Sequence, residues 1–173
     1  MSTSYFDLSN LIIRPIKRTD LHTLEWNGEY IHFRRLFSQA FQEMENGNAV
    51  LWMAEYPLVG LIGQIFVQLF SQNTSLADGS TRAYIHGVRV KPQFRNFGIG
   101  TRLMQIAEED LIRRGFREVV LNVGQDNDRA RLLYECLGYI IVGIDPGEWA
   151  YMDHQGRRQS VVEPAWRMEK KFR

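Results

Sequence analysis

A six-residue segment with two glycines, Arg95-Asn96-Phe97-Gly98-Ile99-Gly100, separates a β-type run from an amphipathic helical pattern. The run before it is Tyr84–Val90, closed by Lys91-Pro92, and the helical pattern after it ends at Gly115. Glycine lets the backbone approach a ligand closely, and the start of a helix leaves N–H groups unpaired beside a partial positive charge. Such a corner suits a pyrophosphate and needs neither lysine nor metal to hold it.

Two familiar phosphate-binding loops do not fit this segment. A dinucleotide fingerprint requires a third small residue where the chain has Leu103, and a Walker A loop requires Gly-Lys-Ser/Thr where it has Gly100-Thr101-Arg102. Two glycines alone are also compatible with a tight strand-to-helix turn. A nucleotide-binding module that shares only this turn therefore stays open as an alternative.

Length and composition indicate an ordinary globular chain. The 173 residues predict a single domain, residues 1–173. A net charge of +1 argues against nucleic-acid binding, which needs a basic surplus. The single cysteine, Cys136, allows no intrachain disulfide and no cysteine-based metal site, which fits a cytoplasmic protein without a metal. We see no secretory signal and no apolar run long enough to cross a membrane.

The hydrophobic pattern predicts alternating strands and helices around one mixed sheet. Strand-like runs lie at Leu11–Ile13, Ala49–Ala54, Leu61–Phe70, Tyr84–Val90, Glu118–Val123, Tyr139–Ile144 and Trp166–Lys170. Helical patterns lie between Thr19-Asp20 and Gly28, from Tyr30 to Met44, from Ile99 to Leu111, and after Asp126-Asn127. The stretch Asp145–Pro164 is expected to be irregular, with a hairpin tip at Asp153–Gly156.

A second motif lies downstream of the glycine corner. The segment from Asn127 to Tyr139 fits N-x-x-A-x-x-L-Y-x-x-x-G-[FY] at every fixed position, and Val88 to Gly100 fits a strand ending V-x-P followed by [RQ]-x-x-G-x-[GA]. With both motifs in this order, the chain resembles the GNAT N-acetyltransferase superfamily. The resemblance implies an α/β (α+β) fold, with a mixed, mostly antiparallel sheet of six to seven strands and helices on both faces.

The resemblance also implies a set of site residues with acetyl-CoA as cosubstrate. The backbone of Val88 and Val90 would pair with the pantetheine arm, Asn127 would contact its amide region, and Tyr134 would lie near the sulfur. The N–H groups that would hold the pyrophosphate belong to Asn96, Phe97, Gly98, Ile99, Gly100 and Thr101. Arg95 is a further candidate, because a guanidinium binds phosphate bidentately.

The implied reaction is acetyl transfer from acetyl-CoA to a primary amine, of a small molecule or a peptide, by direct attack in a ternary complex. The Val90 N–H is the implied oxyanion donor, and the Tyr134 phenol can protonate the leaving thiolate as the catalytic acid. A non-catalytic acyl-CoA-binding sensor on the same fold is the alternative. We expect no nucleic-acid or membrane partner, and a homodimer is the default oligomeric state.

The general base is not readable from the sequence. Many relatives carry a glutamate on the strand before V-x-P, where this chain has Tyr84. His86 on that strand, whose direction a bulge near Gly87 can alter, and a water chain are the two candidates. Cys136 lies on the face of its helix opposite Tyr134 and is expected to be buried and inert. The acceptor amine and the preferred acyl chain stay undetermined.

Overall fold

The computed structural model describes residues 5–173, so the first four residues of the predicted 1–173 domain lie outside the described residues. Its main sheet has seven strands in the order β1-β2-β3-β4-β5-β9-β6. All neighbouring strands in it are antiparallel except β4 and β5, which run parallel. The strands are β1 Ile12–Pro15, β2 Ala49–Tyr56, β3 Gly60–Gln68, β4 Arg82–Val90, β5 Glu118–Gly124, β6 Ile140–Asp145 and β9 Ala165–Lys171. The mixed, mostly antiparallel sheet is confirmed.

Helices cover both faces of this sheet, as predicted. The α-helices are α1 Arg34–Glu45, α2 Ile99–Arg113 and α3 Asp128–Cys136. One core packs α2 against the sheet through residues such as Leu103, Ala107 and Leu111, and a second core packs Phe37 and Phe41 of α1 on the other side. None of the helices described here has the length and apolarity that crossing a bilayer would take.

The predicted helix from Tyr30 to Met44 begins later than expected. Trp26, Asn27 and Gly28 adopt positive φ angles of 47°, 56° and 105°, so the chain reverses before it can enter a helix. A 3₁₀ turn at Ile31–Phe33 then leads into α1. The preceding short helix is also a 3₁₀ segment, Arg18–Gly28.

The stretch Asp145–Pro164 is not irregular, and this expectation was wrong. It contains a separate two-stranded hairpin, β7 Glu148–Met152 and β8 Arg158–Val162, around the predicted tip. The Asp153 carboxylate accepts N–H groups of Gln155 and Arg157 and fixes that tip. The hairpin packs on the α1 side through Phe33 and Tyr151, whose ring centroids are 5.0 Å apart. The Phe33 ring also lies 6.2 Å from the Trp149 ring, so tertiary contacts with distant residues give the segment a partner.

A bulge interrupts the pairing of β3 with β4 close to Gly87. The register shifts between Gln64 and Phe66, and Gly87 has a φ of 63°. A Cβ atom at this position would come within 2.7 Å of the Phe66 ring. The bulge foreseen from the sequence is confirmed. It sets the face of the sheet on which the side chains of Val88 and Val90 lie.

Replacing Gly87 by alanine should therefore lower the free energy of unfolding by about 1 to 3 kcal/mol, because the left-handed conformation and the Phe66 ring both oppose a side chain. Gly143→Ala is the matched control: this strand glycine has a permissive φ, and its Cβ would meet open space. Urea denaturation of both variants measures the difference. Equal stabilities would contradict the role given to Gly87.

Candidate active site

The sheet opens between its two parallel strands. β4 pairs with β5 only from Arg82 to Ile85, although β4 continues to Val90 and β5 continues to Gly124. Lys91 N–H donates to the Ile62 carbonyl on β3 at 2.8 Å. Because successive peptide groups of a strand alternate in direction, the N–H and C=O of Val90 face the gap that β5 leaves. The gap therefore presents strand backbone to a ligand.

The start of α2 borders the same gap with a row of unpaired donors. Within residues 5–173, no protein acceptor takes the N–H groups of residues 96 to 101, and the first helical bond runs from Arg102 N–H to the Gly98 carbonyl at 3.0 Å. Gly98 has a φ of 85° and Asn96 a φ of 69°, which turn the chain into the helix. These amides and the helix dipole make the corner a site for an anion.

A cavity of about 600 Å³ joins the gap to this corner. Every predicted site residue except Phe97 lines it: Val88, Val90, Arg95, Asn96, Gly98, Ile99, Gly100, Thr101, Asn127 and Tyr134. The Phe97 ring instead packs on Phe6, with 4.8 Å between centroids. The structure thus brings both sequence motifs to one cavity.

Tyr134 projects from α3 toward the cavity. Its side chain is only 7% exposed, and burial alone raises the pKa of its phenol to about 12. The hydroxyl accordingly stays protonated at neutral pH and can act as a proton donor. Cys136 lies on the other side of α3 and is exposed, so the expectation that it is buried was wrong.

Polar contacts hold the two sides of the cavity in place. Asn127 Oδ1 accepts the Ala130 N–H at 3.2 Å and caps α3. Arg95 Nε donates to the Val90 carbonyl at 3.0 Å, and the Arg129 guanidinium donates to Asn96 Oδ1. Arg95 therefore fixes strand β4 to the corner, and Arg129 joins α3 to it. Within residues 5–173, no group of three or more His, Cys, Asp or Glu side chains is arranged to hold a metal.

The model of the family described as "Acetyltransferase (GNAT) family" matches residues 18–139. The chain belongs to this family. The predicted resemblance is confirmed.

Individual relatives within the GNAT family are distant. The chain is 31% identical over 86 residues to N-alpha-acetyltransferase 30 of Schizosaccharomyces pombe, covering 49% of this chain and 57% of that protein. It is 25% identical over 151 residues to the probable N-acetyltransferase camello of Xenopus laevis, covering 80% of this chain and 65% of that protein. The chain thus spans less than two thirds of the length of these curated relatives.

Solved structures share the whole GNAT fold. Ard1 from Thermoplasma volcanium superposes with a TM-score of 0.72 at 18% identity, covering 95% of this chain and 99% of that one. Arabidopsis thaliana NAA60 in complex with acetyl-CoA gives a TM-score of 0.66 at 22% identity, covering 94% and 98%. At these identities the likeness confirms the fold.

His86, a candidate base of this GNAT domain, lies away from the cavity lining. Its ring stacks on Tyr84 at 5.3 Å and meets Phe66 edge-on at 5.6 Å. Burial, reinforced by the charge of Arg89, lowers the pKa of His86 to about 4. A base works best when its pKa lies near the working pH, so this shift makes His86 a weak one.

Tyr30 and Arg89 are among the cavity residues that the sequence reasoning missed. Arg89 follows Val88 on β4, and the Arg89 guanidinium carbon lies 4.3 Å from the centroid of the Tyr30 ring. Strand alternation already places Arg89 on the face opposite to its neighbours Val88 and Val90, which was the available signal. No sequence pattern pointed to Tyr30, because no motif predicts the left-handed turn that precedes it.

The half-buried, desolvated His86 predicts a pH-dependent loss of stability. The folded state disfavours the imidazolium, so stability is full above the ordinary pKa of 6.5 and is lost as the pH falls toward about 4. His86→Phe keeps the aromatic stacking without the titration. Between pH 7 and pH 4, its unfolding free energy should fall by about 2 to 3 kcal/mol less than that of the wild type. Denaturant titrations at both pH values test this; equal losses would contradict it.

Proposed function

We propose that this GNAT domain is an acetyl-CoA-dependent N-acetyltransferase that acts on a primary amine by direct transfer. One observation carries the proposal: a row of backbone donors and a protonated phenol, none of them with a hydrogen-bond partner among residues 5–173, border the same cavity. The donors suit a diphosphate, and the phenol suits a thiolate leaving group. That solved relatives of this fold are described with coenzyme A or acetyl-CoA supports the choice of cosubstrate.

The cosubstrate would bind along the gap in the sheet. The N–H groups of residues 96 to 101 would hold the pyrophosphate, and the pantetheine arm would add to β4 as a further strand beside Val88 and Val90. Asn127 would meet the arm through its amide nitrogen, because its oxygen already caps α3. This arrangement brings the thioester to Tyr134.

The transfer would then proceed in one complex. The neutral amine attacks the thioester carbonyl and forms a carbon–nitrogen bond, and the Val90 N–H stabilises the oxyanion. The carbon–sulfur bond breaks as the intermediate collapses, Tyr134 donates its proton to the departing thiolate, and the newly bonded nitrogen releases its extra proton to water. The products are the acetylated amine and free coenzyme A, and Tyr134 recovers its proton from solvent.

Deprotonation of the amine is assigned to water in the open cavity. An alkylammonium has a pKa of about 10.4, so its proton must be lost before attack. His86 is held neutral and weakly basic between aromatic rings, and Tyr84 occupies the place where many relatives carry a glutamate. The single domain over residues 1–173, the cytoplasmic location, the homodimer, and the absence of nucleic-acid and membrane partners stay predictions.

Binding and turnover test this function together. Calorimetry should detect acetyl-CoA binding, and thiol release across a panel of primary amines should detect transfer. Gly98→Ala should weaken acetyl-CoA roughly tenfold or more, because alanine disfavours the left-handed turn that aims the amides. Gly115→Ala, at the other end of α2 with a φ of 89°, carries the same strain without touching the site.

The outcomes separate the alternatives. Binding of acetyl-CoA without thiol release for any amine would favour the sensor. Binding of ATP in preference to acetyl-CoA would favour the nucleotide module. Equal acetyl-CoA affinities of the two glycine variants would remove the corner as the pyrophosphate site.

Tyr134→Phe should lower kcat roughly a hundredfold while acetyl-CoA affinity stays unchanged, because only the proton donor is removed. Since the pKa of Tyr134 is about 12, the wild-type rate should show no decline from its ionisation until the pH approaches that value. Tyr139→Phe is the neighbouring control: its hydroxyl donates to Glu108, away from the cavity. An unaltered kcat in Tyr134→Phe would exclude it as the acid.

A further inference from the structure

Arg89 is a partly buried cation that has no anionic partner of its own within residues 5–173. Other arginines of similar burial are paired: Arg14 with Asp20, Arg82 with Glu118, and Arg167 with Asp145, at 2.8, 2.8 and 3.1 Å. Arg89 forms neither an ion pair nor a side-chain hydrogen bond in that part of the chain. Its guanidinium therefore reaches the cavity with its five donors free.

Aromatic rings fix where this cation lies. The guanidinium carbon stands 4.3 Å from the Tyr30 centroid and 5.3 Å from that of Phe33. The rings attract the charge through their faces and leave the edge of the planar guanidinium free, which is the edge that binds a carboxylate bidentately. The left-handed turn through Trp26 and Asn27 brings Tyr30 under the strand.

Neighbouring polar groups on this side of the sheet also lack protein partners. Gln64 stands opposite Arg89 in the β3–β4 register, is fully buried, and has both amide atoms without a hydrogen bond. Trp26 Nε1, on the ring that meets Tyr30 edge-on at 5.0 Å, is likewise buried and unpaired. Buried polar groups without partners are rare, and two of them flank the residues around the Arg89 guanidinium, although neither lines the cavity.

The surrounding charges do not neutralise Arg89. Burial lowers the pKa of its guanidinium, and the charges of Glu163 and Glu29 oppose this shift without forming an ion pair with it. Both glutamates are exposed, so water screens them. A desolvated guanidinium of this kind gains most from an anion that enters the cavity itself.

The position of Arg89 indicates which of the two substrates, the cosubstrate or the acceptor, would contact it. Val88 and Val90 pack with α2 in one core, whereas the Arg89 side chain lies over Tyr30 and Phe33, which pack with the core on the other face of the sheet. The diphosphate corner lies at the start of α2. Under the proposed function, the cosubstrate occupies the gap and the corner, and the acceptor approaches from the side of Tyr30 and Arg89. The anion that would bind Arg89 therefore belongs to the acceptor.

We infer that the acceptor amine carries a carboxylate within a few bonds of the nitrogen, and that Arg89 selects for it. This inference rests on the proposed function and adds the substrate class. An amino-acid α-carboxylate and an acidic side chain near a peptide amine share this chemistry. Arg89 is a specificity residue here and takes no part in the proton transfers.

Paired acceptors test the inference. One arm compares free amino acids with their carboxamides, and a second compares amidated peptides that carry Glu or Gln next to the N-terminal residue. In the wild type, kcat/KM should favour the carboxylate member of at least one arm by roughly tenfold to a hundredfold, as expected for a charge-assisted pair. The arm that shows the preference identifies the source of the carboxylate.

Variants assign that preference to Arg89. Arg89→Met should abolish the carboxylate preference, so that the carboxylate and carboxamide members are turned over with similar kcat/KM, while acetyl-CoA affinity, measured by calorimetry, stays near the wild type. Arg89→Lys keeps the charge and should retain part of the preference, which also covers the case in which methionine disturbs the fold. Arg18→Met is the matched control, since Arg18 also lies over an aromatic ring, Phe41 at 5.0 Å, but not at the cavity.

Each outcome supports or overturns the inference about Arg89. Turnover that is indifferent to the carboxylate in both arms, or a preference that survives in Arg89→Met, overturns the inference and leaves the acetyltransferase proposal standing. Absence of acetyl transfer to every acceptor, with acetyl-CoA bound, overturns both.

Discussion

The parallel strands β4 and β5 pair over only a short length, and the rest of the structure depends on this. Four residue pairs, Arg82 to Ile85 against Glu118 to Leu121, hold the two halves of the sheet together. Beyond them each strand keeps only its outer neighbour, and the backbone of β4 next to the gap is left for a ligand. The peptide groups of a sheet are normally hydrogen-bonded within the sheet. Those beside the gap must instead be satisfied by water or side chains, so the gap is stable only because the flanking elements hold these partners in position.

Those flanking elements are anchored on both sides of the gap. The α2 helix carries Ile99 and Leu103 into the main core, which fixes its first turn against the end of β4. Lys170 of β9 pairs with Glu108 of α2 at 2.7 Å, and Tyr139 adds its hydroxyl to the same carboxylate. These contacts tie α2 to the far half of the sheet. The donors at the corner are thus preorganised by the core, because the helix start cannot turn away without breaking it.

In the proposed reaction, each face of β4 contacts a different substrate. On the side of α2 and α3, amides and the Tyr134 phenol suit a thioester with a diphosphate handle. On the opposite side, Arg89, Tyr30 and the left-handed turn at Trp26 suit the second substrate. The Gly87 bulge sets how Val88, Arg89 and Val90 are distributed between these faces, so one backbone irregularity affects both halves of the proposed reaction.

The sequence by itself determined the strand-corner-helix unit, the second motif from Asn127 to Tyr139, and therefore the family and fold class. Those features are local: glycine positions, helix periodicity and fixed spacings can be read from short stretches of the chain. The tertiary structure alone decided the 3₁₀ path from Arg18 to Phe33, the pairing of the hairpin Glu148–Val162, the exposure of Cys136 and the isolation of Arg89. Each of these depends on which distant surfaces meet, and contacts such as Arg89 with Tyr30 leave no period or spacing in the chain to be read.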